Sequence, residues 1–164
     1  MFFKRKRITV FEHGVFSVDV DRSQNFIDTV GRYDVVNGDV VSYHFPSLDM
    51  TRAKNREVKI LLVSFNKGME DVEVMSEFSR RGLDFADFFE LLSLGNQYPE
   101  IQKKINVLTL DFHSTWYEFY KPMDAYRHYP FLCVGNSHCG RGIGMFHSNE
   151  EITAGAFWFA AVSK

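Results

Sequence analysis

The sequence predicts a single α+β domain over residues 1–164, with two or three helices and a mixed or antiparallel sheet. Residues Glu57 to Phe65 are mostly apolar on both faces of a predicted strand, which is typical of a central position in a sheet. Two segments, Glu70 to Ser79 and Asp84 to Leu92, carry apolar residues at helical spacing. Predicted strands follow as far as Ala156 to Val162, so helices and strands are grouped rather than alternating along the chain.

Residues 1–56 are predicted to form a β-rich extension of an α+β core at 57–164. Arg7 to Phe11 and Val15 to Val20 have strand composition, and His13-Gly14 between them predicts a hairpin turn. The other elements predicted here are a short helix that begins at Ser23, buries Phe26, Ile27 and Val30 and ends at Gly31, and a strand at Asp39 to Tyr43.

The first helix of the core is predicted to end at Gly82. Two buried faces fit its apolar residues, either Val72, Met75 and Phe78 or Val74 and Phe78. Each face repeats every three to four residues, so the pattern by itself leaves the choice open.

The second helix is predicted to begin with Asp84 as its N-cap, to carry Asp87 in its first turn and to end at Gly95. Its apolar stripe consists of Phe85, Phe88, Phe89, Leu91 and Leu92, and Tyr98-Pro99 predicts a further short helical turn. The later predicted strands are Asn106 to Phe112, Thr115 to Tyr120, Pro130 to Val134 and Ile143 to His147, with loops at Pro122 to Arg127 and Gly135 to Gly142.

The composition excludes several classes of function. The formal net charge is −2 and the one basic cluster is Lys4 to Arg7, so we expect no general nucleic-acid binding. No apolar run approaches the roughly 20 residues that a membrane span needs. The two cysteines, Cys133 and Cys139, are not a disulfide framework, so we expect a protein of the reducing cytoplasm.

The glycine-rich segment Gly135 to Gly144 is the most suggestive local feature. It matches neither a P-loop nor a dinucleotide-binding fingerprint, so we predict no cofactor. Within it, Cys139 is a candidate nucleophile with His138 or His147 as its base. The alternative is a hairpin connection in which Cys139 is a tolerated small residue. A zinc site of Cys133, His138, Cys139 and His147 lacks the usual Cys-x2-4-Cys spacing, so we predict no metal.

An aromatic and polar segment from Trp116 to Tyr129 is a candidate ligand surface, because rigid rings give contact area at a small entropy cost. Packing in the core explains the same residues equally well. The predicted ligand-binding residues are Trp116, Tyr126, Arg127, His138 and Arg141. This hypothesis requires the segment 116–129 and the loop 136–141 to lie together on one face of the protein.

Several short motifs recur in a known group of proteins. They include Tyr33-Asp34, Phe45-Pro46, Ser64-Phe65-Asn66, Arg81 to Leu92, Tyr98 to Gln102, Val107-Leu108, Arg141 to Met145 and Phe159 to Lys164. In these motifs the chain resembles a group of small uncharacterised bacterial and phage-type proteins, a resemblance that implies no known activity. The order of a helix, several strands and a closing aromatic strand is similar to the C-type lectin-like fold. The chain has no Glu-Pro-Asn or Gln-Pro-Asp calcium motif, so we do not expect calcium-dependent sugar binding.

Three hypotheses of function follow. The leading one is a non-catalytic binding or interaction module, since no set of residues forms a defensible catalytic constellation. The second is a thiol-dependent enzyme that uses Cys139. The third is a structural component of a phage or of a larger assembly, which predicts a homo-oligomer with exposed Phe residues at its interface.

Overall fold

The computed structural model describes residues 8–23, 33, 35–36, 56–111, 116–121, 124–133, 140–147 and 151–163, with main chain alone at 35–36, 116–121, 124–127 and 147. Within these ranges the chain forms nine strands and two α-helices. In chain order they are β1 Val10–Val20, β2 Val35–Val36, β3 Arg56–Phe65, α1 Asp71–Arg80, β4 Leu83–Phe85, α2 Phe88–Gln97, a 3₁₀ turn Ile101–Lys103, β5 Val107–Leu108, β6 Trp116–Lys121, β7 Asp124–Cys133, β8 Gly142–His147 and β9 Trp158–Ser163.

The nine strands form one mixed sheet, in the order β1-β3-β9-β5-β7-β8-β2. Strand β4 pairs with β9, and β6 pairs with β7. Only the β5–β9 and β2–β8 pairs are parallel among the strands of the described ranges. The α+β class is therefore confirmed. The predicted central strand Glu57 to Phe65 is confirmed as well, because β3 has β1 on one side and β9 on the other.

The two α-helices pack on opposite faces of the sheet. Successive residues of a strand point to opposite faces, and β9 shows which helix covers each one. Ala160 lies in a cluster with the apolar residues of α2, whereas Phe159 and Ala161 lie in a second cluster with Val74 and Phe78 of α1. The sheet therefore separates two apolar layers, which we call the α2 face and the α1 face.

Strand β1 corrects the predicted hairpin. The chain does not turn at His13-Gly14 but continues as one strand, and the whole of it pairs antiparallel with β3. Glu12 lies opposite Val63 and Gly14 opposite Leu62, so His13 is an inserted residue in a β-bulge. Gly14 has φ of 135°, which glycine adopts without a steric penalty. The glycine thus permits a bulge rather than a turn.

Helix α1 lies one residue from its predicted position, with Glu70 as the N-cap. Val74 and Phe78 are buried, while Val72 is 49% exposed, so the second of the two predicted faces is correct. The helix ends before Gly82, whose φ of 69° is the left-handed conformation that stops helices.

Helix α2 begins and ends later than predicted. Asp84 is not its N-cap, because Asp84 and Phe85 belong to β4 and pair with β9. Asp87 is the N-cap instead. Gly95 does not end the helix, which continues to Gln97. Pairing with the sheet decides the first boundary, and burial of the last turn against the core decides the second.

The remaining strands differ from prediction mainly in length. The strand predicted at Asn106 to Phe112 is only Val107–Leu108. Most of the predicted loop Pro122 to Arg127 is strand, because β6 and β7 form a hairpin whose ends pair at Lys121 and Asp124. The predictions that lie outside the described residues are the helix after Ser23, the strand Asp39 to Tyr43, the basic run Lys4 to Arg7, and His138 and Cys139.

Candidate functional site

The predicted ligand-binding residues do not come together. Trp116 lies in β6, opposite His128 of β7, and Tyr126 and Arg127 lie in β7. Arg141 directly precedes Gly142, which pairs with Cys133 at the other end of β7. At about 3.3 Å per residue, Tyr126 and Cys133 lie about 23 Å apart along the strand. The single ligand surface that the sequence predicted is therefore not formed by these four residues, and His138 lies outside the described ranges.

Arg141 instead holds the start of β8 against α2. Its Nη1 donates a hydrogen bond of 3.3 Å to the Gly95 carbonyl oxygen, and its guanidinium lies 5.2 Å from the centre of the Tyr33 ring. Gln102 adds a second tie, because its Nε2 donates to the Gly142 carbonyl oxygen at 2.9 Å. These contacts fix the C-terminal base of the glycine-rich loop.

The candidate thiol chemistry rests on Cys139 and His138, which lie outside the described residues, so the structure places only the groups that flank them. Cys133 is free and half-buried, and burial raises the pKa of its thiol, which disfavours the nucleophilic thiolate. The main chain of His147 pairs with that of His128. Across the described ranges, no group of three His, Cys, Asp or Glu side chains is arranged to hold a metal ion.

The structure does assemble a polar cluster that the sequence analysis missed. His13 Nε2 and Ser64 Oγ share a hydrogen bond of 2.7 Å. The His13 ring stacks on Trp158, with the centroids 3.5 Å apart. Burial lowers the pKa of the imidazole, so the ring is predominantly neutral at pH 7. The feature of the sequence that could have revealed this cluster is Gly14. A glycine inside a strand pattern indicates a β-bulge, and a bulge changes the direction in which neighbouring side chains point.

This cluster has only part of the geometry of a catalytic site. Ser64 is 5% exposed, and its oxygen faces the base that would activate it. Within the described part of the chain, however, no carboxylate bonds to His13 to orient the ring. The pair therefore satisfies the buried Ser64 hydroxyl and holds the bulge against β3 and β9.

The outer edge of β1, the side away from β3, is half covered. Tyr98 Oη donates to the Ser17 carbonyl oxygen at 2.8 Å. Gln97 accepts from Asp19 N at 3.0 Å and donates to Asp19 O at 2.7 Å. Side chains next to the end of α2 thus occupy the main-chain groups of the C-terminal half of the edge. Over Val10 to Val15 no strand of the described ranges pairs with the outer edge.

Exposed apolar side chains mark the same uncovered stretch. Phe11 is 47% exposed and Val15 is 62% exposed. Strand β1 contains neither lysine nor proline, the residues that most often protect a sheet edge from pairing. We call the stretch Val10 to Val15 the open edge. Its bulge and the exposed Glu12 are the protective devices that it carries.

Two other features are structural. Arg22 forms ion pairs with Asp87 and with Glu90, and Arg56 lies 3.3 Å from Glu90. These contacts surround the N-terminus of α2, where carboxylates are stabilised by the helix dipole. A shallow cleft is lined by Phe65, Met69, Ile152, Phe157, Phe159 and their neighbours, and its enclosed space is about 10 Å³. That is room for about one water molecule, far below the roughly 300 Å³ of a typical small-molecule site.

No helix in the part of the chain described here is both long and apolar enough to cross a membrane. No protein-family model, curated protein or solved structure matches the chain. The features that bear on function are therefore the open edge and the His13 cluster.

Proposed function

We propose that this protein is a non-catalytic interaction module that binds an extended peptide segment along the open edge of β1. The observation that carries the proposal is the contrast between the two halves of that edge. Side chains of Gln97 and Tyr98 occupy the half at Ser17 and Asp19, whereas no strand of the described residues pairs with the outer edge of Val10 to Val15, which carries exposed Phe11 and Val15.

Main-chain hydrogen bonds would supply the affinity. The carbonyl groups of Ser17 and Asp19 point outward, away from β3, because they accept from Tyr98 and Gln97. In an antiparallel pair, alternate residues direct their N–H and C=O groups to the same edge. Val15 therefore presents both of its main-chain groups outward, where an added strand would bind.

Side chains on both faces of the edge would supply selectivity. Phe11 lies opposite Ser64 and thus on the α2 face, the face to which Trp158 of the stacked His13–Trp158 pair also belongs. Val15 lies opposite Leu61 and thus on the α1 face. The side chains of an added strand alternate between the two faces, so it would meet aromatic rings on one face and aliphatic groups on the other.

The test is a selection of extended peptides from a random library displayed on phage, with the full chain as the target. Val15→Pro removes an outward N–H without removing a hydrogen bond to β3, so selected peptides are expected to lose binding to it. Val72→Lys is the matched control, because Val72 is another exposed valine but lies on α1. Peptides that bind Val15→Pro as tightly as the unaltered chain would overturn the proposal.

Other expectations from the sequence accompany this proposal as predictions. They are a C-type lectin-like framework, a cytoplasmic location and the absence of general nucleic-acid binding. A thiol enzyme that uses Cys139 is the alternative function. It predicts rapid alkylation by iodoacetamide at neutral pH, whereas a thiol that reacts with a pKa of about 8.5 would exclude it.

A further inference from the structure

We infer that Gln97 and Tyr98 form an intramolecular cover that competes with an added strand for the main-chain groups of Ser17 and Asp19. The inference rests on the proposed function, because it names what limits binding at the same edge of β1. With the cover in place, an added strand pairs only with the open edge. With the cover removed, the added strand continues along β1 as far as Asp19.

The Gln97 side chain reproduces the bonds of a paired strand. In an antiparallel sheet, a residue of a hydrogen-bonded pair both donates to its partner and accepts from it. The Gln97 carboxamide does the same with Asp19, because its Oε1 accepts from Asp19 N at 3.0 Å and its Nε2 donates to Asp19 O at 2.7 Å. An added strand would therefore need the same two main-chain groups that Gln97 already occupies.

Tyr98 occupies the preceding outward position of the strand. Its hydroxyl donates to the Ser17 carbonyl oxygen at 2.8 Å. Its ring is partly buried on the α2 face and meets the Phe16 ring edge-on, with the centroids 5.1 Å apart. This packing holds the hydroxyl beside Ser17. Because alternate residues of a strand direct their main-chain groups to the same edge, the cover takes two consecutive outward positions.

The cover removes the gain that an added strand would obtain at Asp19. Gln97 is an exposed side chain at the last residue of α2, and both of its bonds to Asp19 are exposed. Hydrogen bonds that water can replace contribute little net stability, and Gln97 loses rotamer freedom to form them. A strand that displaced Gln97 would only exchange one pair of bonds for another, so its affinity would not rise.

The experiment compares peptide binding to the unaltered chain and to the double variant Gln97→Ala/Tyr98→Phe. The random peptide library is selected on each full-length chain in parallel, and the Kd of every selected peptide is measured on both. Peptides selected on the double variant are expected to bind it at least about fivefold more tightly than the unaltered chain, because ladder bonds at Ser17 and Asp19 are added without a competitor.

Asn96→Ala is the matched control. It also replaces a carboxamide of α2, one residue earlier, and in the described part of the chain the Asn96 side chain makes no hydrogen bond to β1. This variant should bind every selected peptide like the unaltered chain. Circular dichroism melting checks that each variant is folded.

Amide hydrogen exchange tests the cover without any peptide. The Asp19 N–H should exchange at least about tenfold faster in Gln97→Ala than in Asn96→Ala, because its acceptor has been removed. Unchanged exchange would overturn the inference, since Gln97 would then not occupy that group.

Equal affinity of the selected peptides for the unaltered chain and the double variant would also overturn the cover as a competitor. Binders to the double variant alone would support it, whereas a library that yields binders to neither chain overturns both proposals. The proposed function has its own test in Val15→Pro. It fails if selected peptides bind that variant like the unaltered chain, whatever the effect of Gln97→Ala.

Discussion

The imidazole of His13 lies flat on the indole of Trp158, with their planes 9° apart. The contact shields one face of the imidazole from water, and the pKa of His13 is lowered because burial disfavours the charged ring. Since the same ring bonds to Ser64, the bulge, the edge strand and the closing strand β9 are linked through one titratable group.

We expect His13 to titrate below its ordinary pKa of 6.5 in an NMR titration of the histidine ring protons. The unfolded chain then binds the proton more readily, so the contribution of His13 to stability is complete above about pH 6.5 and is lost as the pH falls. Trp158→Leu should move the pKa back toward 6.5. A His13 pKa at or above that value in the unaltered chain would contradict the stacking argument.

Glu77 should stabilise the protein in a pH-dependent manner. A hydrogen bond from Arg80, assisted by Arg81, lowers the pKa of this carboxyl from 4.5 to about 2. We expect Glu77→Gln to cost about 1–2 kcal/mol at pH 7, a value discounted for the exposure of Arg80. The difference should be present above pH 4.5 and disappear as the pH falls toward 2, in urea unfolding at each pH. Glu100→Gln, in an exposed pair with Lys103, is the control and should cost less than about 0.5 kcal/mol.

The N-cap of α2 can be tested with two aspartates. Asp87 Oδ1 accepts a hydrogen bond of 2.9 Å from Glu90 N, and Asp87 also pairs with Arg22. Asp87→Ala should lower the free energy of unfolding by about 1–2 kcal/mol. Asp84→Ala, at the position that the sequence predicted as the cap, should cost less than Asp87→Ala, because Asp84 is an exposed strand residue and caps no main-chain N–H of α2. Equal losses in the two variants would reject the assignment of Asp87.

Gly95 is tightly enclosed, and Gly95→Ala should destabilise the protein by about 1–3 kcal/mol. A Cβ there would overlap the Tyr33 hydroxyl and lie 2.9 Å from Gln102 Oε1. In a Tyr33→Phe background the loss should be smaller, which a double-mutant cycle in urea measures as coupling. Gly82→Ala is the control, because its cost comes from φ of 69° in open space and should not depend on Tyr33. An uncoupled cycle would contradict the overlap.

Much of the architecture could be predicted because its signals are local. The apolar run of β3 and the spacing of Phe88, Phe89, Leu91 and Leu92 reflect burial that each segment shows in its own periodicity. The same information could not choose between Asp84 and Asp87 as a cap. Pairing with β9 excludes Asp84 as the cap, because it places Asp84 in a strand. Its partner in β9, Val162, lies 78 residues further along the chain.

The sequence by itself determined the α+β class, the central position of β3 and the buried face of α2. The spacing of apolar residues indicates which face of a helix or strand is buried, and that spacing is a local property of each segment. Only the tertiary structure decided that His13-Gly14 is a bulge, that Ser64 lies against His13, and that Arg141 is held far from Trp116 along β7. These relationships depend on strand pairing between distant segments. Such pairing is determined by the free energy of the complete folded chain, and no local sequence pattern specifies it.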